Sequence, residues 1–291
     1  MTKEKIRDVA TLKEHQSALA LLLEEFDRVC RTLGIPYILF AGTMLGAVRH
    51  KGFIPWDDDL DIIMFREDYE RFLEQAPEVL DNNRFFLQKE FSEHWPMFFS
   101  KLRLNNTTCL EKFHPKDKKI HSGVYIDIFP CDNAFKSSLG KRIQFFASKV
   151  VIAKSLYKRG YETKSSAKKL FMKICRVLPL KPFLAVAKGG RKNSTHVHSF
   201  LAAAKSYSKN VFPREYISNR INLDFENKKY PVSAEYDNLL RILYGDYMTL
   251  PPPEMQDTKR HVVLVDLSRS YEHYQSLHDN MEFDVLTVSI R

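Results

Sequence analysis

Four aspartates fall within five positions, at Asp57, Asp58, Asp59 and Asp61, and the chain then turns wholly apolar through Ile62, Ile63, Met64 and Phe65. An apolar run bounded by turn signals reads as a buried strand. The acid run is therefore carried into a core rather than left on a surface. Side chains alternate along an extended chain, which puts Asp57, Asp59 and Asp61 on one face and Asp58 with Leu60 on the other. Like charges that close repel unless a cation compensates them. A cluster of hard oxygen ligands suits Mg²⁺ or Mn²⁺ shared with substrate phosphates. The competing reading is a solvated acidic turn after Pro55. It accounts for Asp57 and Asp58 but poorly for Asp61, which sits between Leu60 and four apolar residues. A calcium loop of the EF-hand type fails on spacing, since its glycine position falls on Ile62 and its closing glutamate position on Asp68.

Upstream, the apolar residues 37–41 run into Gly42 and Thr43, with Gly46 close behind. A strand entering a glycine turn and a short helix presents backbone N–H groups to a phosphate. Alone, a Gly-Thr pair says little; followed by an acidic strand, it gains weight. Downstream, residues 123–129 read as a strand with one carboxylate, Asp127, in an apolar run. A buried aspartate is costly unless it is paired or bound to a metal. Asp127 is thus expected on a strand beside Asp59 and Asp61, the alternative being a surface position on an edge strand.

Helical periodicity covers residues 3–33, with a break near Gln16 and an end at Gly34. A strand over 37–41, a short helix over 43–48 and a second strand within 54–65 follow. Residues 68–80 read as a helix that Pro77 bends or ends, and 85–88 and 98–104 as strands. The last of these is half-buried, with Lys101 and Arg103 on one face that meets solvent or an anion. Residues 112–121 read as a polar loop over the site, 234–244 as a helix, and 244–253 as a rigid aromatic turn whose main use is packing. A strand is expected near 262–267.

At 291 residues and 44% apolar, the chain can bury one large core or two small ones. Charged residues at 28%, together with 21 phenylalanines, argue against disorder. Cys30, Cys109, Cys131 and Cys175 form no CxxC pair, which suits buried thiols in a reducing compartment. A zinc set from Cys109, His114, His121 and Cys131 is disfavoured by its irregular spacing. The opening segment is charged and amphipathic rather than a signal sequence, and residues 18–23 are too short a run to span a bilayer. A cytoplasmic, at most peripheral, protein is expected. Residues 136–192 hold 16 Lys or Arg against Glu162 alone, a net +15 in a chain of +9, so the remainder carries −6. Apolar residues at helical spacing run through this block, at Ile143, Phe146, Val150 and Val151 and again at Leu170, Ile174 and Val177. Such helices lie on an anionic membrane, bind nucleic acid, or simply show a solvated basic face. No RNA-binding motif is present and aromatics are not interleaved for stacking, so no nucleic acid is expected.

Four stretches carry a family resemblance: GTMLGAVRHKGFIPWDDDLDI from Gly42, KLR at 101–103, YIDIFPCD at 125–132 and YGDYMTLPPPE at 244–254. In this order, over about 210 residues, they resemble the signature of the LicD-like family, phosphocholine transferases of bacterial surface glycans related to fukutin-like proteins. The first is long and specific; the others are short. The resemblance implies an α/β, nucleotidyltransferase-like mixed sheet with flanking helices. On that basis residues 1–135 are a catalytic core, 136–200 a basic helical subdomain, and 201–291 a helical region packed on the core. It also implies a CDP-alcohol donor, typically CDP-choline, and a hydroxyl acceptor on a cell-surface glycan or its lipid-linked precursor. The basic helices would then sit near the inner face of the cell membrane.

In that setting Asp57, Asp59 and Asp61 hold Mg²⁺ or Mn²⁺ against the diphosphate, and Asp127 completes the metal shell or takes the acceptor's proton. Gly42 and Thr43 cradle phosphate, while Arg49, His50 and Lys51 offset its charge. The resemblance also suggests that Lys101 reaches a donor phosphate. Ethanolamine, glycerol and ribitol phosphates remain alternatives to phosphocholine. Transfer of a nucleotide to another acceptor, and a non-catalytic membrane-surface protein, are competing functions. Which aromatics would enclose a choline group is not legible from the chain.

Overall fold

A computed structural model describes residues 10–111, 119–189, 194–199, 207–256 and 260–277. Helix α1, Leu12–Leu33, starts from a capping box in which the Thr11 hydroxyl accepts from the Glu14 N–H and the Glu14 carboxylate accepts from the Thr11 N–H. It stops at Gly34, whose φ of 62° is the left-handed conformation that glycine adopts without strain. Leu19, Leu22, Leu23, Phe26 and Val29 are its buried stripe. Burying five such side chains contributes roughly 10 kcal/mol before entropy is counted. Phe26 packs edge-on to Tyr37 at 5.0 Å and against Phe72 at 4.8 Å.

The expected break at Gln16 does not occur. Its side-chain amide donates to the carbonyls of Ile54 and Asp57, at 3.2 and 2.9 Å, so the polar residue clamps a distant segment while the helix runs through it. The expected beginning at residues 3–9 lies outside the described residues.

Strand β1 (Ile38–Leu39) leads through α2 (Ala41–His50) to β2 (Asp61–Phe65), followed by α3 (Arg66–Val79), β3 (Phe85–Gln88) and β4 (Ser100–Leu104). Strands β5 (Thr108–Glu111) and β6 (Tyr125–Asn133) come next. The sheet runs β1-β2-β6-β4-β3, with β2 and β6 parallel and its other pairs antiparallel. Three helices follow β6: α4 (Ser138–Lys158), α5 (Ser166–Val177) and α6 (Leu180–Lys188). The far end of β6 then pairs with β7 (His196–His198), which pairs with β8 (Val211–Pro213). After α7 (Glu215–Ser218) come a hairpin of β9 (Arg220–Phe225) and β10 (Lys228–Ser233), helix α8 (Tyr236–Tyr244), and β11 (Val262–Asp266), which pairs with β5. This curled mixed sheet with flanking helices is the α/β, nucleotidyltransferase-like fold.

Some local expectations change. Pro77 does not end α3, which continues to Val79, although the ring removes the one N–H bond that position 77 would donate. Strand β4 is buried on both faces rather than one: Lys101 and Arg103 are 1% and 2% exposed. Strand β5 has no counterpart among the expected elements. Of the polar loop, 112–118 lies outside the described residues, as does His114 of the disfavoured zinc set.

Helix α4 is pinned by Gln144, whose amide donates to the Asn133 and Ala187 carbonyls at 2.9 and 3.1 Å and lies 2.7 Å from His198 Nε2. Ala147 and Val151 of α4 join the main core, whereas Val150 and Ala153 pack with Met172 and Cys175 of α5 in a small second cluster. Among the described residues no helix is long and apolar enough to cross a membrane. All four cysteines are buried, and burial pushes the thiols up, which leaves them unreactive.

Candidate active site

Strands β2 and β6 lie side by side with Asp61 directly opposite Asp127. The start of β2 is held to α2 by the Thr43 hydroxyl, which accepts from the Asp61 N–H at 2.8 Å. Thr43 is itself buried, so it anchors the acid strand to the helix. Asp57 lies against the first turn of α2: a Cβ on Gly42 would come within 2.9 Å of Asp57 Oδ2. Glycine at this position permits the approach. The Asp57 backbone is fixed on both sides, its N–H donating to the Ile54 carbonyl at 2.9 Å and its own carbonyl accepting from Gln16. Asp58 and Leu60 turn the other way, as alternation requires, and both are buried. Asp58 Oδ2 accepts from the backbone N–H groups of His261 and Val262, at 2.7 and 2.9 Å, tying the acid segment to the start of β11.

Asp57, Asp59 and Asp61 line one cleft of about 520 Å³ together with Gly42, Arg49 and Trp56. Burial pushes the Asp61 carboxyl well above the usual range, and the Asp59, Asp127 and Asp57 charges push it further. Asp59 is raised by burial too, against the pull of His261, whose Nε2 lies 3.7 Å from Asp59 Oδ2. Burial likewise raises Asp127, opposed by Lys101 at 2.9 Å. Carboxylates in this condition gain from any cation that joins them. Among the described residues no three acid, histidine or cysteine side chains are already gathered around one point as a ligand cage.

The basic residues separate by helical period. Arg49 lines the cleft; its Nη1 donates to the Tyr247 carbonyl at 2.6 Å and its Nε to His50 Nε2 at 2.9 Å. His50 stands behind it, edge-on to Trp56 at 6.3 Å, and both burial and the Arg49 charge lower its basicity. Lys51 is exposed and ends α2 in the left-handed conformation (φ 57°), its carbonyl accepting from the Glu226 N–H. Lys101, expected to meet solvent or an anion, is buried beneath Asp127. Its ammonium lies 3.1 Å from the centre of the Tyr125 ring and 3.8 Å from Glu111. Glu111 also accepts from the Tyr125 hydroxyl at 2.7 Å and pairs with Arg159, and these cations hold its carboxyl well below the usual range.

Periodicity and spacing do not bring the later part of the chain to this cleft. Tyr244, Asp246 and Tyr247 line the cleft, with Pro251 and His261. The 244–253 turn packs as expected, the Tyr247 hydroxyl donating to Asp237 at 2.7 Å, and it shares the cleft with the acids as well. Burial raises the Tyr244 hydroxyl, and the charges of Asp61, Asp57 and Asp59 raise it further. The signal available in the chain is an acidic residue between two tyrosines after Gly245, whose φ is 76°. Glu111 and Arg159 have no such signal: Glu111 sits in no patterned stretch, and Arg159 is one of 16 Lys or Arg in the basic block.

Residues 34–138 match the family described as LicD/FKTN/FKRP, nucleotidyltransferase domain. The chain is 29% identical over 256 residues to the lipopolysaccharide cholinephosphotransferase LicD of Haemophilus influenzae, covering 84% of this chain and 94% of that protein. It is 42% identical over 130 residues to an uncharacterized protein of Rickettsia typhi, covering 43% of this chain and 38% of that one. A second uncharacterized protein, from Rickettsia prowazekii, is 35% identical over 68 residues, covering 23% of this chain and 26% of its own length.

Proposed function

We propose that this chain, which carries a LicD-family nucleotidyltransferase domain over residues 34–138, transfers phosphocholine from CDP-choline to a hydroxyl of a cell-surface glycan or its lipid-linked precursor. The observation that carries the reading is one cleft lined by Asp57, Asp59 and Asp61 together with Tyr244, Asp246 and Tyr247. The likeness to a lipopolysaccharide cholinephosphotransferase over most of both chains supports the same class of chemistry. Phosphoryl transfer asks for positioning and charge compensation more than for covalent chemistry.

Asp59 and Asp61, with Asp57 and Asp127 beside them, are the residues that would hold Mg²⁺ or Mn²⁺, which when bound neutralises charge on the diphosphate. Arg49, held at the cleft wall by the Tyr247 carbonyl, is placed to donate to a phosphate oxygen. The first turn of α2, at Gly42 and Thr43, presents backbone N–H groups on the same side. The acceptor oxygen attacks the phosphorus that bears choline, the bond to CMP breaks, and CMP departs with the bonding electrons. Asp127, opposite Asp61 on β6, either completes the metal shell or takes the acceptor's proton; burial raises its carboxyl and Lys101 opposes the rise. Trp56 and Tyr244 line the same cleft and would receive the trimethylammonium group, with Asp246 as a counter-charge.

CMP release with Mg²⁺ or Mn²⁺ is the test, run over CDP-choline, CDP-ethanolamine, CDP-glycerol and CDP-ribitol. CMP from CDP-choline above the others is the expected result. Release of pyrophosphate from a nucleoside triphosphate, with silence from every CDP-alcohol, would replace this reading by nucleotide transfer.

A further inference from the structure

Helices α4 and α5 each carry an apolar stripe that no part of the described structure covers. On α4 it is Leu139, Ile143 and Phe146, 69%, 51% and 55% exposed; on α5 it is Leu170, Ile174 and Val177, 61%, 52% and 77% exposed. Both sets are spaced at the same intervals of four and three, which keeps each within one narrow face of its helix. The inward faces are already occupied, α4 by Gln144 and Val151 against the core and α5 by Met172 and Cys175 against α4. Neither exposed stripe takes part in packing among the described residues.

We propose that these two faces dock the protein on an anionic lipid bilayer. Exposed cations flank the stripes at Arg142 and Lys149 on α4 and at Lys169 and Lys173 on α5. The surrounding segment, 136–192, carries net +15 with Glu162 as its only acid. Aliphatic and aromatic side chains edged by Lys and Arg are what an interfacial helix presents, the apolar face entering the acyl boundary and the cations meeting headgroup phosphate. A protein partner fits less well, because lysine is depleted at protein–protein interfaces. A second copy of this chain fits worst, since it would bring one +15 surface against another. Neither helix is long and apolar enough to insert across the bilayer.

The experiment is vesicle flotation of the full chain. It reads binding without turnover, so it stands or falls separately from the transferase reading. Vesicles of phosphatidylcholine with about one-third phosphatidylglycerol should retain the protein, and those of phosphatidylcholine alone should retain far less. Phe146→Ser with Ile174→Ser should weaken the anionic binding about tenfold or more, as two large apolar side chains are withdrawn from the membrane. Lys169→Glu with Lys173→Glu should weaken it comparably and leaves the apolar stripes intact, so a fold defect in the first pair does not decide the matter. Equal binding to both vesicle types, or unchanged binding in both double variants, overturns the proposal. So does a protein that ignores vesicles but doubles its solution mass through a contact that Phe146→Ser abolishes.

Discussion

Asp61→Asn isolates what the acid cluster costs and what it is for. Asp61 and Asp127 are register partners on adjacent parallel strands, which run about 4.8 Å apart. At an effective dielectric of about 20, two unit charges roughly 5 Å apart repel by about 3 kcal/mol. Lys101, 2.9 Å from Asp127, cancels part of this, leaving relief on the order of 2 kcal/mol when Asp61 becomes a neutral isostere. For a chain of 291 residues that corresponds to a rise in Tm of about 3 °C in chelator near neutral pH. The pH dependence has a definite sign. Burial and the neighbouring carboxylates raise the Asp61 carboxyl in the folded protein. The stability linked to this group is full below its ordinary unfolded value and is lost as pH rises through the folded one. Asparagine does not titrate, so the variant's advantage should be nil at about pH 4 and grow toward neutrality. Divalent metal reverses the order. At a hundredfold excess over Kd it stabilises a binding protein by about 2.7 kcal/mol, and the variant should lose most of that gain. Melting curves of both proteins, in chelator and in Mg²⁺ or Mn²⁺, measure all of these quantities. A variant less stable than wild type in chelator, or an equal metal-induced shift in both, refutes the reasoning.

Lys101→Met should destabilise by about 3–5 kcal/mol in chemical denaturation, because it leaves Asp127 and Glu111 buried with their shared cation gone. Gly42→Ala should leave stability within about 1 kcal/mol of wild type, since the contact is with the end of a side chain that can swing. Its CMP release should nonetheless fall, because Asp57 is displaced; an unchanged rate would remove Asp57 from the site. Tyr244→Leu should raise the KM for CDP-choline roughly tenfold while changing that for CDP-glycerol little, which competition between the two donors would show.

Asp127 is legible in the sequence because a lone carboxylate in Val-Tyr-Ile-Asp-Ile-Phe has no nearby residue to solvate it, so its partner has to come from another strand. Gly34 is legible for a similar local reason, as a helix stop that only needs φ above zero. Lys101 is not. Its anions come from β5 and from a strand neighbour, and its lid is the Tyr125 ring, so alternation alone leaves its face open to solvent. Strand β5 itself is four residues whose partner arrives about 150 positions later in β11, too short and too remote for periodicity. Gln16 looks like a fault in an amphipathic helix because the carbonyls it serves, Ile54 and Asp57, lie across a tertiary contact. The tyrosine pair is visible as letters but not as cleft lining, since nothing local brings residues 244–247 to an acid cluster nearly two hundred positions upstream.

The bond from Asp58 to the N–H groups of His261 and Val262 spans 203 and 204 residues, and that from Arg49 to the Tyr247 carbonyl spans 198. A ribosome adding about 5–20 residues per second needs roughly 10 to 40 s to supply His261 after Asp58. For that interval the nascent chain holds its acid segment without the backbone donors that anchor it, and the cleft lacks part of its lining. The active centre is thus among the last parts of the molecule to be assembled, and a polypeptide interrupted before β11 would display its aspartates without a site to put them in.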